Sequence, residues 1–164
     1  MIRCSNCPTG TLRRGKTKDH NIGPLFGLDV VLLDRAVART CSDCGHVVLE
    51  GDVIEAARRD LALFIVKNRT CLAPREARFL RETIGMTQAQ LAERLDIIRG
   101  TVTRWESGEG DLGPIQSFAL RTLAAWSLDG TKLAEVVSAP DAKKPSIVAT
   151  QPYRIAASAL PGAA

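Results

Sequence analysis

The chain has 164 residues and a formal net charge of +4, with 45% hydrophobic and 24% charged residues. That is the profile of a globular chain with room for one ordinary domain or two small ones. Aromatics make up only 4%, which favours two small aliphatic cores over one large aromatic core. No apolar run approaches the roughly 18 residues that cross a bilayer. The first residues lack the apolar stretch of a secretory signal. A cytoplasmic location with no membrane partner is therefore expected. The mild positive charge favours anionic partners without specifying one. Five cysteines in such a chain point to metal or redox chemistry rather than structural disulfides.

Residues 1–51 hold four of the five cysteines. Leu28–Leu33 reads as a strand, Ala36–Arg39 as its neighbour and Val47–Leu49 as a short third strand. Three short strands in about fifty residues bury too little apolar surface to fold unaided, so a metal or cross-link is expected. Asp52 is placed to cap a connecting helix over 52–70, with Glu55 in the box position. Ile54, Ala57, Leu61, Phe64 and Ile65 share one helical face. Arg58, Arg59 and Lys67 lie mostly elsewhere, as a solvated face or a basic contact.

The next segment, 71–137, reads as five short helices. Pro74 suits a first helical position and Gly85 suits a helix end, with Ala77, Phe79, Leu80 and Ile84 forming an apolar stripe between them. Thr87 and Gln90 form a capping box for a second helix carrying Leu91, Ala92 and Leu95 inward. A third helix runs from about Ile98 to Glu106 and stops before Gly108. Pro114 begins a fourth, with Ile115, Phe118, Ala119, Thr122, Leu123 and Trp126 in helical register. Thr131 caps a fifth, Lys132–Val137. The remainder, 138–164, reads as a flexible tail. Within it, Ile147–Ala149 and Tyr153–Ile155 are candidates for an added strand or a docking segment. The expected fold class is α+β: a small β-rich N-terminal domain, a connecting helix and an all-α helical domain.

Cys4-Ser5-Asn6-Cys7 and Cys41-Ser42-Asp43-Cys44 are two C-x2-C knuckles. Two residues between cysteines let both thiolates face one ion while backbone amides donate to the sulfurs. Two knuckles facing each other make a tetrahedral four-thiolate Zn²⁺ site. Cys4, Cys7, Cys41 and Cys44 are the expected ligands, and Gly45 suits the positive φ of such a turn. Four thiolates leave no open position, so the zinc is expected to be structural. Binding would bring the charge from +4 to about +2, with the thiolates counted at −4 and the ion at +2. Arg3, Arg13, Arg14, Lys16 and Lys18 are close enough in sequence to offset the local negative charge. Redox-active or buried thiols and an iron–sulfur cluster use the same residue types. No knuckle sits at a helix N-terminus as a thioredoxin-like site requires. His20 and His46 read as surface histidines, and Cys71 is left over.

Met86–Gly108 carries the requirements of a helix-turn-helix. Ala92 is small where two helices cross. Leu91, Leu95, Ile97, Val102 and Trp105 supply inner faces, and Arg99, Thr101, Thr103 and Arg104 point outward. This run resembles the helix-turn-helix of phage-repressor or XRE-type regulators, down to Arg104-Trp105-Glu106-x-Gly108. With the two knuckles upstream, the order of parts resembles the MqsA (YgiT-type) antitoxin family over about residues 1–128. The resemblance implies a homodimeric repressor that places two recognition helices in successive major grooves of an operator. It also implies a zinc domain that binds a toxin, expected to be an RNA-cleaving one. It assigns base reading to Arg104, with Arg99 as a second candidate. Gln88 falls where similar proteins contact phosphate or base, and Thr87, Thr101, Thr103 and Ser107 where they contact phosphate. Arg81 and Glu106 occupy positions of a partly buried ion pair.

Three departures from the pattern stand out. Gly100 has no side chain to read a base, Asp96 replaces the usual turn glycine, and Ile98 stands where a Ser or Thr cap is common. Residues 74–128 sum to zero charge, with seven arginines against seven carboxylates. Affinity for DNA must then come from positioned contacts, helix N-termini and pairing of two copies. A stand-alone zinc- or redox-responsive regulator is the other reading of the same parts. A hydrolase or nuclease finds no support: paired carboxylates and a Ser–His–Asp order are missing, and there are only two histidines.

Overall fold

The computed structural model of the chain describes residues 2–29, 31–128 and 153–156. They form two compact units. The first comprises the residues up to Pro24, Asp29–Asp60 and the strand at 153–156; the second comprises Leu25–Leu28 and the described residues 61–128. The fold class is mixed α+β, as expected.

The first unit is built on two sheets. One has the order β1 (Ile2–Arg3), β2 (Thr11–Lys16), β5 (Val37–Cys41), β6 (Val47–Leu49), all antiparallel. The other has the order β3 (His20–Asn21), β4 (Val31–Asp34), β7 (Tyr153–Ala156), in which β4 pairs antiparallel with β3 and parallel with β7. Two of the expected strands are therefore not neighbours: β4 and β5 follow each other in the chain but lie in different sheets. Thr17 explains the split. Its amide donates to the Ala36 carbonyl at 2.8 Å and its carbonyl accepts from Arg35 N at 2.9 Å. Its hydroxyl bridges the Leu33 carbonyl at 3.3 Å and the Ala36 amide at 3.1 Å. With Arg35 in the left-handed region (φ 58°), the chain turns out of β4 and pairs β5 with β2 instead. β2 reads Thr-Leu-Arg-Arg-Gly-Lys and has no strand signature of its own. Its ladder with β5, from Leu12–Cys41 to Lys16–Val37, makes it a strand. Val31, Leu33, Ala36, Ala38 and Cys41 are buried.

Helix α1 spans Gly51–Asn68. It starts one residue before Asp52, so Asp52 lies in the first turn rather than at the cap, and its carboxylate accepts from Val53 N at 2.9 Å. Val53, Ala57, Leu61 and Ile65 are buried as the periodicity requires, whereas Phe64 is exposed.

The second unit carries α2 (Pro74–Thr83), α3 (Gln88–Arg94), α4 (Arg99–Ser107) and α5 (Pro114–Leu128). Three successive helix ends use the same device. A left-handed residue at Gly85 (φ 72°), Asp96 (φ 52°) and Gly108 (φ 81°) lets two amides reach back to the last turn. The bonds are Gly85 N to Glu82 O and Met86 N to Arg81 O, then Asp96 N to Glu93 O and Ile97 N to Ala92 O, then Gly108 N to Trp105 O and Glu109 N to Arg104 O. This is the Schellman arrangement, with Asp96 in the place where glycine has no steric cost. The start of α3 is closed by the expected box: Gln90 N donates to Thr87 Oγ1 at 3.2 Å, and Thr87 N donates to Gln90 Oε1 at 2.8 Å. At α2, Glu76 accepts from Ala73 N at 2.9 Å and from Arg69 Nε at 3.0 Å. Ile98 offers α4 no side-chain cap.

Helix α5 overturns the simplest reading of its apolar positions. Ser117, Leu120, Arg121, Ala124 and Ala125 face inward, and Ile115, Phe118 and Trp126 are exposed. Polar groups can occupy the inner face because each one named here is satisfied. Ser117 Oγ accepts from Leu72 N at 3.2 Å, and Arg121 donates from Nε and Nη2 to the Val66 carbonyl at 3.0 and 2.6 Å. The expected helix Lys132–Val137, the strand candidate Ile147–Ala149 and most of the tail lie outside the described residues. Of the tail's two strand candidates, Tyr153–Ile155 lies within β7.

Candidate metal centre and nucleic-acid interface

The four cysteines meet at one end of the larger sheet. Cys4 follows β1, Cys41 ends β5, and Cys7 and Cys44 close the two turns. Their sulfurs all lie within 4.8 Å of one another. The Cys4–Cys44 and Cys7–Cys41 Sγ separations are 3.7 and 3.6 Å. Bonds of ~2.3 Å to a tetrahedral zinc imply sulfurs roughly 3.8 Å apart, and a disulfide requires ~2.05 Å. The spacing fits one ion and not two cross-links.

Each knuckle repeats the same amide geometry. Asn6 N donates to Cys4 Sγ at 3.3 Å and Asp43 N to Cys41 Sγ at 3.5 Å. The second sulfur of each knuckle takes a backbone hydrogen bond, Cys7 from Gly10 and Cys44 from His46. Such donors stabilise thiolate charge, as a four-thiolate ligand set requires. The two knuckles are also tied together. Thr9 Oγ1 donates to Asp43 Oδ2 at 2.8 Å, Ser42 Oγ to Asp43 Oδ1 at 2.7 Å, and Thr11 N to Ser42 Oγ at 3.3 Å. Those two hydroxyls hold the Asp43 carboxyl below its ordinary range. Cys7 and Cys44, the second sulfurs of the two knuckles, differ in their hold on protons. The His46 backbone and the Asn6 carboxamide bring Cys44 down to about 6, while burial, reinforced by the other three sulfurs, pushes Cys7 up to about 12.

One residue essential to this geometry carries no cysteine chemistry. A Cβ at Gly10 would collide with Cys41 Sγ and lie 2.8 Å from Cys7 Sγ. Its amide serves Cys7, and its carbonyl accepts from Cys4 N at 3.0 Å. Only the bare backbone fits the space against the sulfurs. Gly45 takes the expected left-handed turn (φ 70°), and His20 and His46 are half-buried.

The helix-turn-helix is α3, the turn through Asp96, and α4. Leu91, Ala92, Val102 and Trp105 are buried. Arg99, Gly100, Thr103, Arg104 and Ser107 form the exposed face of α4; Thr101 is half-buried at its edge. Thr87 is exposed and Gln88 half-buried at the start of α3. No atom lies within 4 Å of a Cβ at Gly100, so a side chain there would be tolerated.

Behind this face runs a chain of polar contacts. Arg81 Nε and Nη2 donate to the two Glu106 oxygens at 2.5 and 2.9 Å, and Arg81 Nη1 to the Met86 carbonyl at 2.7 Å. Gln88 Nε2 donates to Glu106 Oε2 at 2.9 Å, and Gln88 Oε1 accepts from Thr103 Oγ1 at 3.2 Å. The expected Arg81–Glu106 pair is present, with side chains 9% and 6% exposed. Burial pushes the Glu106 carboxyl up, but the hydrogen bonds from Arg81 and Gln88 outweigh it and hold the group below its ordinary value. The Gln88 amide is thus oriented from the interior by Glu106, a link the sequence pattern does not disclose. The single Thr103 hydroxyl proton has a second acceptor within reach, Arg99 O at 3.3 Å, and Ser107 Oγ donates to Arg104 O at 3.2 Å.

Among known proteins, residues 78–120 match a helix-turn-helix family model. This segment covers α3, α4 and most of α2, and it marks a DNA-binding domain of the XRE type. No curated protein and no solved structure matches the chain. No helix among the described residues is long and apolar enough to cross a membrane.

Proposed function

We propose that this protein is a cytoplasmic transcriptional repressor that serves as the antitoxin of a toxin–antitoxin pair. The observation that carries the DNA-reading half is the exposed α4 face, with Arg99 and Arg104 presented beside a Gln88 amide oriented by Glu106. Arg104 pairs bidentately with guanine, and Arg99 makes a second base or phosphate contact near the helix start. Gln88, Thr87, Thr101, Thr103 and Ser107 set the register through phosphate or base contacts. Two copies bind an operator with two-fold symmetry. The first unit holds one structural zinc on Cys4, Cys7, Cys41 and Cys44 and binds the toxin, an RNA-cleaving protein encoded beside it. Support for that half is the order of parts: a four-thiolate β unit, a helix, then the DNA reader, as in MqsA-type antitoxins.

The test is co-expression of this chain with the product of the adjacent gene. Co-purification of the two, relief of growth arrest and repression of their shared promoter are expected. Failure to associate while promoter repression persists would remove the antitoxin role and leave the regulator. The exposure of Cys44 favours a second reading, in which peroxide oxidation of the thiolates releases zinc and DNA. Loss of DNA affinity under mild peroxide, with no partner captured, would select it.

A further inference from the structure

Strand β4 has a different kind of neighbour along each edge. On one edge the contacts are local. His20 and Asn21 of β3 pair with Leu33 and Leu32, Ile22 N donates to the Val31 carbonyl at 2.8 Å, and Val31 N donates to Asn21 Oδ1 at 3.1 Å. With both backbone groups of Val31 turned that way, the alternation of a strand turns those of Leu32 to the opposite edge. Among the described residues, the strand that meets that edge is β7, which follows the whole helical unit in sequence. It lies parallel, with Val31 opposite Tyr153, Leu32 opposite Arg154, Leu33 opposite Ile155 and Asp34 opposite Ala156.

The pairing selects side chains as well as backbone. Val31 and Leu33 are fully buried and Ile155 nearly so, and Tyr153 is half-buried. Arg154 alternates to the other face, where its Nη1 donates to Asp19 Oδ1 at 3.0 Å. An extended segment carrying apolar, basic and apolar residues in a row meets these demands. The hold on β7 is slight. It has four residues in the parallel arrangement, which is the less stable per residue. Its ion pair joins side chains 67% and 46% exposed, and water screens such a pair. An edge with Val31 and Leu33 behind it is a template for another strand whenever β7 leaves.

We propose that the outer edge of β4 is a peptide-docking edge, held in cis by residues 153–156 and taken in trans by an extended apolar–basic–apolar segment of the toxin, which adds as a parallel strand. The toxin as owner of that segment rests on the proposed antitoxin function; the docking edge itself does not. Tethering gives β7 a high effective concentration, so the edge stays covered until a partner competes for it.

The test uses the zinc-loaded full-length chain and a synthetic peptide of residues 152–157, followed by amide NMR shifts. Ile155→Asp removes the buried anchor of β7 and opens the edge. The peptide should bind this variant one-to-one with shifts at Val31–Asp34, and bind the parent at least tenfold more weakly. Glutamate in place of the peptide's arginine should cost about fivefold, the scale of an exposed ion pair, and Asp19→Arg should reverse that preference. Hydrogen exchange of the unaltered chain needs no variant. The Leu32 amide should exchange at least tenfold faster than the β2–β5 ladder, because β7 leaves without the unit unfolding. Equal peptide binding by parent and variant, binding by neither, or a Leu32 amide as slow as that ladder would overturn the docking edge. If the variant loses its zinc, hydrogen exchange alone decides. The adjacent gene's product separates the two claims. It should bind Ile155→Asp about tenfold more tightly than the parent, with excess peptide cancelling the gain. Equal binding that ignores the peptide would overturn the toxin as occupant. A product that binds neither chain, while the peptide docks, would sink only the antitoxin reading.

Discussion

Replacing Arg81 with alanine leaves the Glu106 carboxylate 6% exposed with its bidentate partner gone. Breaking a buried pair from one side costs ~3–5 kcal/mol. Glu106 keeps the hydrogen bond from Gln88, which places the loss near the lower end, at about 3 kcal/mol. For a unit of this size each kcal/mol shifts the melting temperature by roughly 4–8 °C, so a fall of about 12–24 °C is expected. Urea unfolding followed by Trp105 fluorescence reports on the same unit. Adding Glu106→Gln to Arg81→Ala should restore part of the loss, because the stranded charge is then removed. The pH dependence has a definite sign. Glu106 is held below its ordinary value of 4.5, so its contribution is complete above that pH. It is lost as pH falls through the lower folded-state value. The gap between parent and Arg81→Ala should narrow in acid. Equal urea midpoints at neutral pH, or a gap that persists undiminished in strong acid, would refute the pairing argument.

Three further substitutions probe the metal centre, helix α1 and the turn between α3 and α4. Gly10→Ala should abolish stoichiometric zinc, because its methyl group takes the space of two sulfurs; zinc analysis of the purified variant gives the answer, and one retained ion per chain would contradict the geometry. Asp60 has a carboxylate oxygen that is buried without a hydrogen-bond partner, and burial raises its pKa against only partial relief from Arg59. A raised carboxyl opposes folding as pH climbs through its range. Asp60→Asn should therefore stabilise by about 1 kcal/mol at neutral pH, with the gain fading in acid; destabilisation at pH 7 would show that the carboxylate is used. Asp96→Gly should raise the unfolding free energy measured in urea by roughly 0.5–1 kcal/mol, because left-handed backbone strains Asp more than glycine; a lower midpoint would mean that the side chain holds the turn.

The parts of the fold legible in the sequence are those set by local chemistry. Pro74, Gly85, Thr87, Gln90, Gly108 and Pro114 mark helix ends because capping depends on a few adjacent residues. Asp96 was expected at a left-handed position and is there. The knuckles were legible because the spacing of two thiols within four residues fixes their geometry. Long-range pairing was not legible. Strand β2 is charged and lacks strand propensity, and it forms only because β5 pairs with it. Thr17 sends β4 and β5 into separate sheets through bonds to residues sixteen and nineteen positions away. Gly10 looks like any loop glycine until the second knuckle folds against it. On α5, hydrophobic periodicity identified a real stripe but not which way it faces. Arg121 and Ser117 can turn inward only because Val66 and Leu72 present backbone groups to them, and no pattern within the helix reveals that.

If α4, presented twice, reads duplex sequence, selection from a randomised duplex library with the zinc-loaded full-length chain should enrich an inverted repeat with half-sites about 10 base pairs apart, centre to centre, and its guanine preferences should relax in Arg104→Ala. A pool that stays random, or an enriched sequence indifferent to both Arg104→Ala and Arg99→Ala, would contradict it.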